Sequence, residues 1–260
     1  MTNPNSRAEH EVVAFVHAKG QSTRVPGKNM KKLGDAPMFC HAIRNALACE
    51  LIDLVVIDSE NDEILAMGER YGAKPLKRPA ELASNAASGD DLMYWQASNY
   101  KGSRLVMQAV PTAPFIRPET YAAAIRAIDE QDVDSVCAVG KEAFYPWKED
   151  RPAYFRPDGT IPNSFELEPL IFETTGLYVT KTAHALAHRK RMNTENCYPL
   201  VVSKLEVLDI NTPEDFELAE IVWHGLDRTR SSHDPRSSHD PQSSHDPQSS
   251  HDPQSSHDNG

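Results

Sequence analysis

Cysteine is scarce in this chain. Four residues in 260, Cys40, Cys49, Cys137 and Cys197, form no CxxC pair, which excludes a disulfide-framed scaffold and a thiolate zinc ribbon. They read as reduced thiols of a cytoplasmic protein. No apolar run approaches the roughly 18–20 residues needed to cross a bilayer. The opening MTNPNSRAEHEVV lacks a basic segment followed by an apolar one, so neither a secretory signal nor membrane association is expected. Basic residues are also short, 27 Lys and Arg against 38 Asp and Glu, for a net charge of −11. Such a chain is a poor binder of DNA or RNA phosphates, which need clustered cations. GxGxxG is absent, which weakens any dehydrogenase reading. GxxxxGK followed by Ser or Thr is absent too, because six residues separate Gly20 from Gly27 and Asn29 follows Lys28.

What is present divides into an extension (1–11), a body (12–226) and a tail (227–260). From Ser231 the tail repeats SSHDPR or SSHDPQ. It has no apolar residue besides Pro and is expected to be disordered. It holds five of the 11 histidines and offers adventitious metal binding but no catalysis.

The body alternates strand and helix. VVAFVH (12–17) is a buried strand, and a helix opens at Pro37 with Phe39, Ile43, Ala46 and Leu47 on one face. Strands follow at 53–58, 73–78, 104–110, 133–139, 176–180 and 202–210. Helices follow at 62–72 (capped by Asp58, Ser59 or Asn61), 90–100, 118–130, 181–190 and from Pro213. Residues 141–172, rich in Pro and aromatics, form an insertion. Repeated strand–helix units predict an α/β, Rossmann-like three-layer sandwich around a mostly parallel mixed sheet. Ligands then sit at the carboxyl ends of the strands.

The loop after the first strand, HAKGQSTRVPGKNMKK (17–32), is the most telling segment. The 23 residues between Glu11 and Asp35 contain no acid, where the chain average would put about three. They hold Lys19, Arg24, Lys28, Lys31 and Lys32. An acidic chain that gathers cations at one strand-to-helix turn is binding an anion there. Gly20 and Gly27 let backbone N–H groups approach a phosphate.

HAKGQSTRVPGKN resembles the nucleotide loop of the acylneuraminate cytidylyltransferase family, and its STRVPGK core resembles the enzymes that activate ketodeoxyoctonate. The resemblance continues through KRPAELASNAASGDD (77–91), VPTAPFIRPETYAAAI (110–125), IFETTGLYVTK (171–181) and LDINTPEDFELAEI (208–221). These segments run in order across about residues 12–222.

The resemblance implies a CTP-dependent nucleotidyltransferase that transfers CMP to an acidic sugar, an acylneuraminate or related 2-keto-3-deoxy sugar acid, with release of pyrophosphate. Alternatives are cytidylylation of another anion such as a phosphonate, or an inactive nucleotide- or sugar-binding protein. Ala18, Lys19, Gly20, Ser22, Arg24 and Lys28 would hold the triphosphate. Lys19 stands where the family usually has Arg, losing the planar fork. Asn29 would lie beside ribose and base, and Arg78 and Ser88 would read cytosine. Asp209 would hold Mg2+, as would Asn211 unless it only caps the last helix, and Lys19, Lys28 and Asp209 are the catalytic candidates. Gln108, Thr112 and Arg117 are candidates for the acceptor, Val110 replacing the family's Gln. The 141–172 insertion resembles a dimerisation arm carrying Tyr145, Trp147 and Lys148, implying a homodimer. Glu173, Thr174 and Thr175 contact sugar hydroxyls or merely pack a strand.

Overall fold

The computed structural model describes residues 10–21, 25–153 and 160–232. Seven strands form the main sheet: β1 (Val12–His17), β2 (Leu54–Ser59), β3 (Lys74–Lys77), β4 (Leu105–Ala109), β5 (Ser135–Glu142), β6 (Leu170–Lys181) and β7 (Cys197–Val201). Their spatial order is β7-β5-β6-β4-β1-β2-β3. All neighbours pair parallel except β6, which runs antiparallel to both β4 and β5. The strands buried on both faces, such as VVAFVH, read as continuous apolar runs, as parallel pairing requires.

Helices α1 (Met38–Leu47), α2 (Asp62–Arg70) and α4 (Pro118–Glu130) cover one face. Their Phe39, Ile43, Ile64, Tyr121, Ala124 and Ile128 pack on Val12, Ala14, Val16, Val55, Ile57 and Met107. Helices α3 (Gly89–Asn99) and α5 (Thr182–His188) cover the other face, with Met93, Ala97 and Ala185 against Val13, Phe15, Val56, Val106 and Tyr178. The result is the expected three-layer α/β sandwich. Strand order reverses between β1 and β4, so the crevice at their carboxyl ends is the switch point where such sheets bind ligands.

The caps are local chemistry. Asn61, rather than Asp58 or Ser59, caps α2, its side chain accepting from Glu63 N at 2.9 Å and Ile64 N at 3.1 Å. Pro118 occupies the first position of α4. Leu47, expected on the buried face of α1, is 47% exposed.

Two elements differ from the sequence expectation. The strand expected at 202–210 lies instead at Cys197–Val201, on the sheet edge, where Pro199 is tolerated. Residues 203–208 form turns, with Glu206 N and Val207 N bonded to Ser203 O. The reason is Glu206. Its buried carboxylate accepts from Ser203 N (3.1 Å) and Ser203 Oγ (2.6 Å), from Arg117 N (3.1 Å) and from Thr120 Oγ1. These hydrogen bonds outweigh burial and hold its carboxyl below the usual range. The strand expected at 176–180 is the second half of a 12-residue strand that begins inside the expected insertion and is bulged between Glu173 and Tyr178.

The rest of the insertion holds a short hairpin (Trp147–Lys148 with Arg151–Pro152) and a 3-10 turn, Ser164–Glu166. Helix α6 spans Pro213–Ser232, past the expected boundary at 227, and the repeats from His233 lie outside the described residues. Among the described residues no helix is long and apolar enough to cross a membrane.

Candidate active site

The crevice at the switch point is lined by His17, Lys19, Lys28, Asn29, Arg78, Asn85, Val110 and Thr112, among others. The cationic loop is shaped by two glycines. Gly27 adopts a left-handed φ of 64° at the start of the Lys28–Met30 turn, where L residues are strained. At Gly20 a Cβ would lie 2.8 Å from the Asn61 amide. The turn buries Lys28 and sends its ammonium 182 residues along the chain to the carbonyl of Ile210, at 2.7 Å. Ile210 N in turn donates to Thr112 O at 2.8 Å. Lys28 is thereby tied to the backbone of the residue that follows Asp209.

Asp209 itself is partly committed. Its Oδ2 accepts from Thr175 Oγ1 at 3.1 Å and from the Asn211 amide, while its Oδ1 is buried with no hydrogen-bond partner among the described residues. Thr175 reaches it from a left-handed backbone, φ 58°, at the β6 bulge. A β-branched residue held there is strained, and such strain concentrates at functional sites. No cluster of three His, Cys, Asp or Glu occurs among the described residues. Mg2+ needs none, because it keeps several waters and takes one or two carboxylates plus substrate phosphates. The unpartnered Oδ1 of Asp209 fits that demand.

Asn29 donates to Lys19 O at 2.8 Å and leaves its own Oδ1 buried without a partner. Lys19 reaches Asn85 Oδ1 at 2.7 Å. Ala18, wholly buried, ties the loop's start to β2 through Ala18 N to Asp58 O at 3.1 Å. Gly20 N–H, expected to face phosphate, donates to Glu60 Oε1 at 2.7 Å. Ser22 and Arg24 lie outside the described residues.

Arg78 is held by Asp58, a carboxylate with no exposure. Arg78 Nε donates to Asp58 Oδ1 at 2.7 Å and Nη2 to both Asp58 Oδ1 and Asp58 O. Gln96 donates to the other Asp58 oxygen, and Gln108 Nε2 donates to Gln96 Oε1 at 3.0 Å. Burial pushes the Asp58 carboxyl up, against Arg78 and Gln96, which pull it down. The Nη1 of Arg78 makes no hydrogen bond among the described residues, and Arg78 lines the crevice. His17 ends β1 in the same crevice. Burial foremost, then the charges of Arg78 and Arg191, push its pKa down to about 3.

The remaining expected residues divide. Ser88 caps α3, its Oγ donating to Asp91 Oδ2 at 2.7 Å and accepting from Asp91 N, and Ala87 lines the crevice in its place. Arg117 sits at the start of α4 on Glu206, tethering the loop that leads to Asp209 instead of entering the crevice. Gln108 is buried in the Arg78–Asp58–Gln96 chain, and Thr112 lines the crevice. Thr174 donates to Ala138 O at 3.0 Å inside the sheet. Glu173 accepts from Tyr178 OH and lines a second cavity. Tyr145 donates to Pro162 O at 2.8 Å, and both Tyr145 and the exposed Lys148 belong to the arm. Asn211 N donates to Asp215 Oδ2 at 2.8 Å, so Asn211 both touches Asp209 and opens α6.

Sequence reasoning passed over Asp58, Glu60, Asn85, Gln96 and Arg191. The available signals were an acid ending the apolar run LVVID and three consecutive cations at 189–191.

A family model described as cytidylyltransferase matches residues 13–156. The chain belongs to the cytidylyltransferase family. A CMP-N,N'-diacetyllegionaminic acid synthase of Legionella pneumophila is 28% identical over 225 residues, which covers 80% of this chain and 94% of that one. N-acylneuraminate cytidylyltransferase A of Danio rerio is 27% identical over 148 residues, covering 57% of this chain, whose match spans only 34% of the fish protein. Among solved structures, a CMP:2-keto-3-deoxy-manno-octonic acid synthetase complexed with CTP superposes with a TM-score of 0.61. It is 15% identical and covers 83% of this cytidylyltransferase and 99% of that chain. At that identity the likeness speaks for the fold.

Proposed function

We propose that this cytidylyltransferase transfers CMP from CTP to the anomeric hydroxyl of a 2-keto-3-deoxy sugar acid of the acylneuraminate class, releasing pyrophosphate. The carrying observation is the junction of the basic turn with the far end of the body, Lys28 Nζ on Ile210 O at 2.7 Å. It ties a cation of the basic turn to the segment that carries Asp209.

The hydroxyl attacks the α-phosphorus in line, the bond to the β-phosphate bridging oxygen breaks, and pyrophosphate leaves with the electron pair. Phosphoryl transfer of this kind asks the protein chiefly for positioning and charge neutralisation. Lys19 and Lys28 supply positive charge against the triphosphate, Arg24 of the same loop adds a third cation and Ser22 a hydroxyl donor. The orphaned Asn29 Oδ1 is an acceptor for a ribose hydroxyl. Arg78, its fork locked by Asp58, offers Nη1 to a cytosine acceptor. Asp209, with Asn211 beside it, would hold Mg2+, which neutralises phosphate charge when bound.

The insertion suits a dimer contact. Phe144, Trp147, Ile161, Phe165 and Ile171 are all exposed, Phe165 to 84%, more apolar surface than an isolated arm favours leaving in water. We place the enzyme in the cytoplasm, where CTP is found.

The test is pyrophosphate release with each of the four nucleoside triphosphates against a panel of sugar acids, with mass-spectrometric detection of CMP adducts. Release with CTP and one sugar acid is expected. Saturable CTP binding with no release for any acceptor would refute the proposal.

A further inference from the structure

A second cavity, of about 380 Å³, opens between α5 and the loop that follows it, lined by Asp90, Glu173, His184, His188, Lys190 and Arg191 among others. Its volume lies within the range of small-molecule pockets. Arg191 is built into it with unusual rigidity. Its N–H donates to Asp90 Oδ1 at 3.0 Å, and its carbonyl accepts from Thr180 Oγ1, so the backbone is clamped on both sides. Its guanidinium lies flat over the Tyr178 ring, 3.9 Å from the centroid. Gly89 makes room for it, since a Cβ there would fall 2.4 Å from Arg191 Nη1.

The fork is only loosely engaged, by an ion pair with Glu173 at 3.5 Å. Among the described residues the Arg191 guanidinium donates no hydrogen bond. Glu173 also takes the Tyr178 hydroxyl. Asp90 is occupied by Lys190 at 2.7 Å and by the Arg191 N–H, and a third acid, Glu195, also lines the cavity. An arginine held over a ring at a cavity wall, its planar donors hydrogen-bonded to no described residue, is suited to receive a carboxylate. It is also close to the nucleotide crevice. Gly89 O accepts from Gln108, which joins through Gln96 to the Asp58–Arg78 pair.

We infer that Arg191 binds the carboxylate of the acceptor sugar acid and selects acids over neutral sugars, with Tyr178 as the platform that orients it. This rests on the acceptor being a sugar acid.

The test uses full-length enzyme, with the acceptor that gives turnover and its C1-amide analogue. Arg191→Gln keeps a planar group on Tyr178 and removes the charge, while Arg191→Lys restores charge without the fork. Arg191→Gln is expected to raise the acceptor KM roughly 10- to 150-fold, the worth of a charged hydrogen-bonded contact. The KM for CTP should move less than about twofold, and the preference for acid over amide should vanish. Arg191→Lys should recover part of the loss. A folded Arg191→Gln enzyme with unchanged acceptor KM, or one that loses acid and amide equally, overturns the assignment while leaving the enzyme reading intact. Wild-type enzyme that turns over no sugar acid overturns both.

Discussion

Asp58 is the residue that holds Arg78 in the crevice, and Asp58→Asn tests the cytosine contact proposed for Arg78. The carboxylate has no exposure and Arg78 only 4%. The substitution keeps the shape and one acceptor for Arg78 but removes the charge. It also turns an amide N–H2 toward the donating Gln96. Flipping Gln96 and then Gln108 would relieve that clash only by giving up the Gln108 Nε2 bond to Gly89 O. What cannot be repaired is the uncompensated guanidinium. Removing one partner of a buried pair costs about 3–5 kcal/mol. For a chain of this size that is a Tm loss of roughly 6–20 °C. Arg78→Met combined with Asp58→Asn should restore most of it, since no buried charge then remains. Differential scanning calorimetry of the two single variants and the double variant, alongside CTP binding, is the assay. A Tm within about 2 °C of wild type for Asp58→Asn, or a double variant less stable than either single one, would refute the reasoning.

Asp209→Ala should abolish pyrophosphate release while circular dichroism and cooperative melting stay native, and near-normal turnover would refute its role. Thr175→Gly should relieve about 1–2 kcal/mol of left-handed strain, yet lower kcat because Asp209 loses the hydroxyl at 3.1 Å. A more stable and equally active variant would show the strain is idle. Introducing charge with Phe165→Glu and Trp147→Glu should leave the monomer fold intact and turn any dimer in sedimentation velocity into monomer. His17 makes an acid-side prediction. Its folded pKa of about 3 lies below the ordinary 6.5, so between those values the unfolded chain binds the proton that the folded chain refuses. Stability should therefore fall as pH drops from about 6.5 toward 3, and His17→Asn should flatten that slope in acid-denaturation curves.

Legibility followed range. Where the signal is local, the sequence was readable: VVAFVH is a strand and Pro118 opens a helix. The strand expected at 202–210 failed because its alternation is overridden by Glu206, whose buried carboxylate collects donors from Arg117 and Thr120, some 86–89 residues away. Ser88 followed the same logic in reverse. It was assigned by motif position, but a hydroxyl three residues before Asp91 satisfies a helix end in place. Asp58 was invisible as a functional residue because nothing near it in sequence says that Arg78 and Gln96 converge on it.

The distribution of unsatisfied polar atoms argues that this end of the sheet is shaped for a ligand and not for stability. Six buried side-chain atoms lack a hydrogen-bond partner within the described protein, and five belong to His17, Asn29, Glu60, Gln108 and Asp209. All five are in or next to the crevice at the carboxyl ends of β1, β2 and β4, or the Asp209 segment packed on it. Each such atom costs about 1–3 kcal/mol, and native folds leave few of them. Scattered, they would be ordinary defects. Gathered where the chain also holds Thr175 in a left-handed conformation and a lysine against a carbonyl 182 residues away, they mark a polar surface left open to a ligand. Filling it should raise the melting temperature. CTP with Mg2+ at 100 times its Kd adds about 2.7 kcal/mol, or roughly 5–11 °C. GTP at the same concentration should add far less, and equal stabilisation by both nucleotides would remove the base-reading role of Arg78.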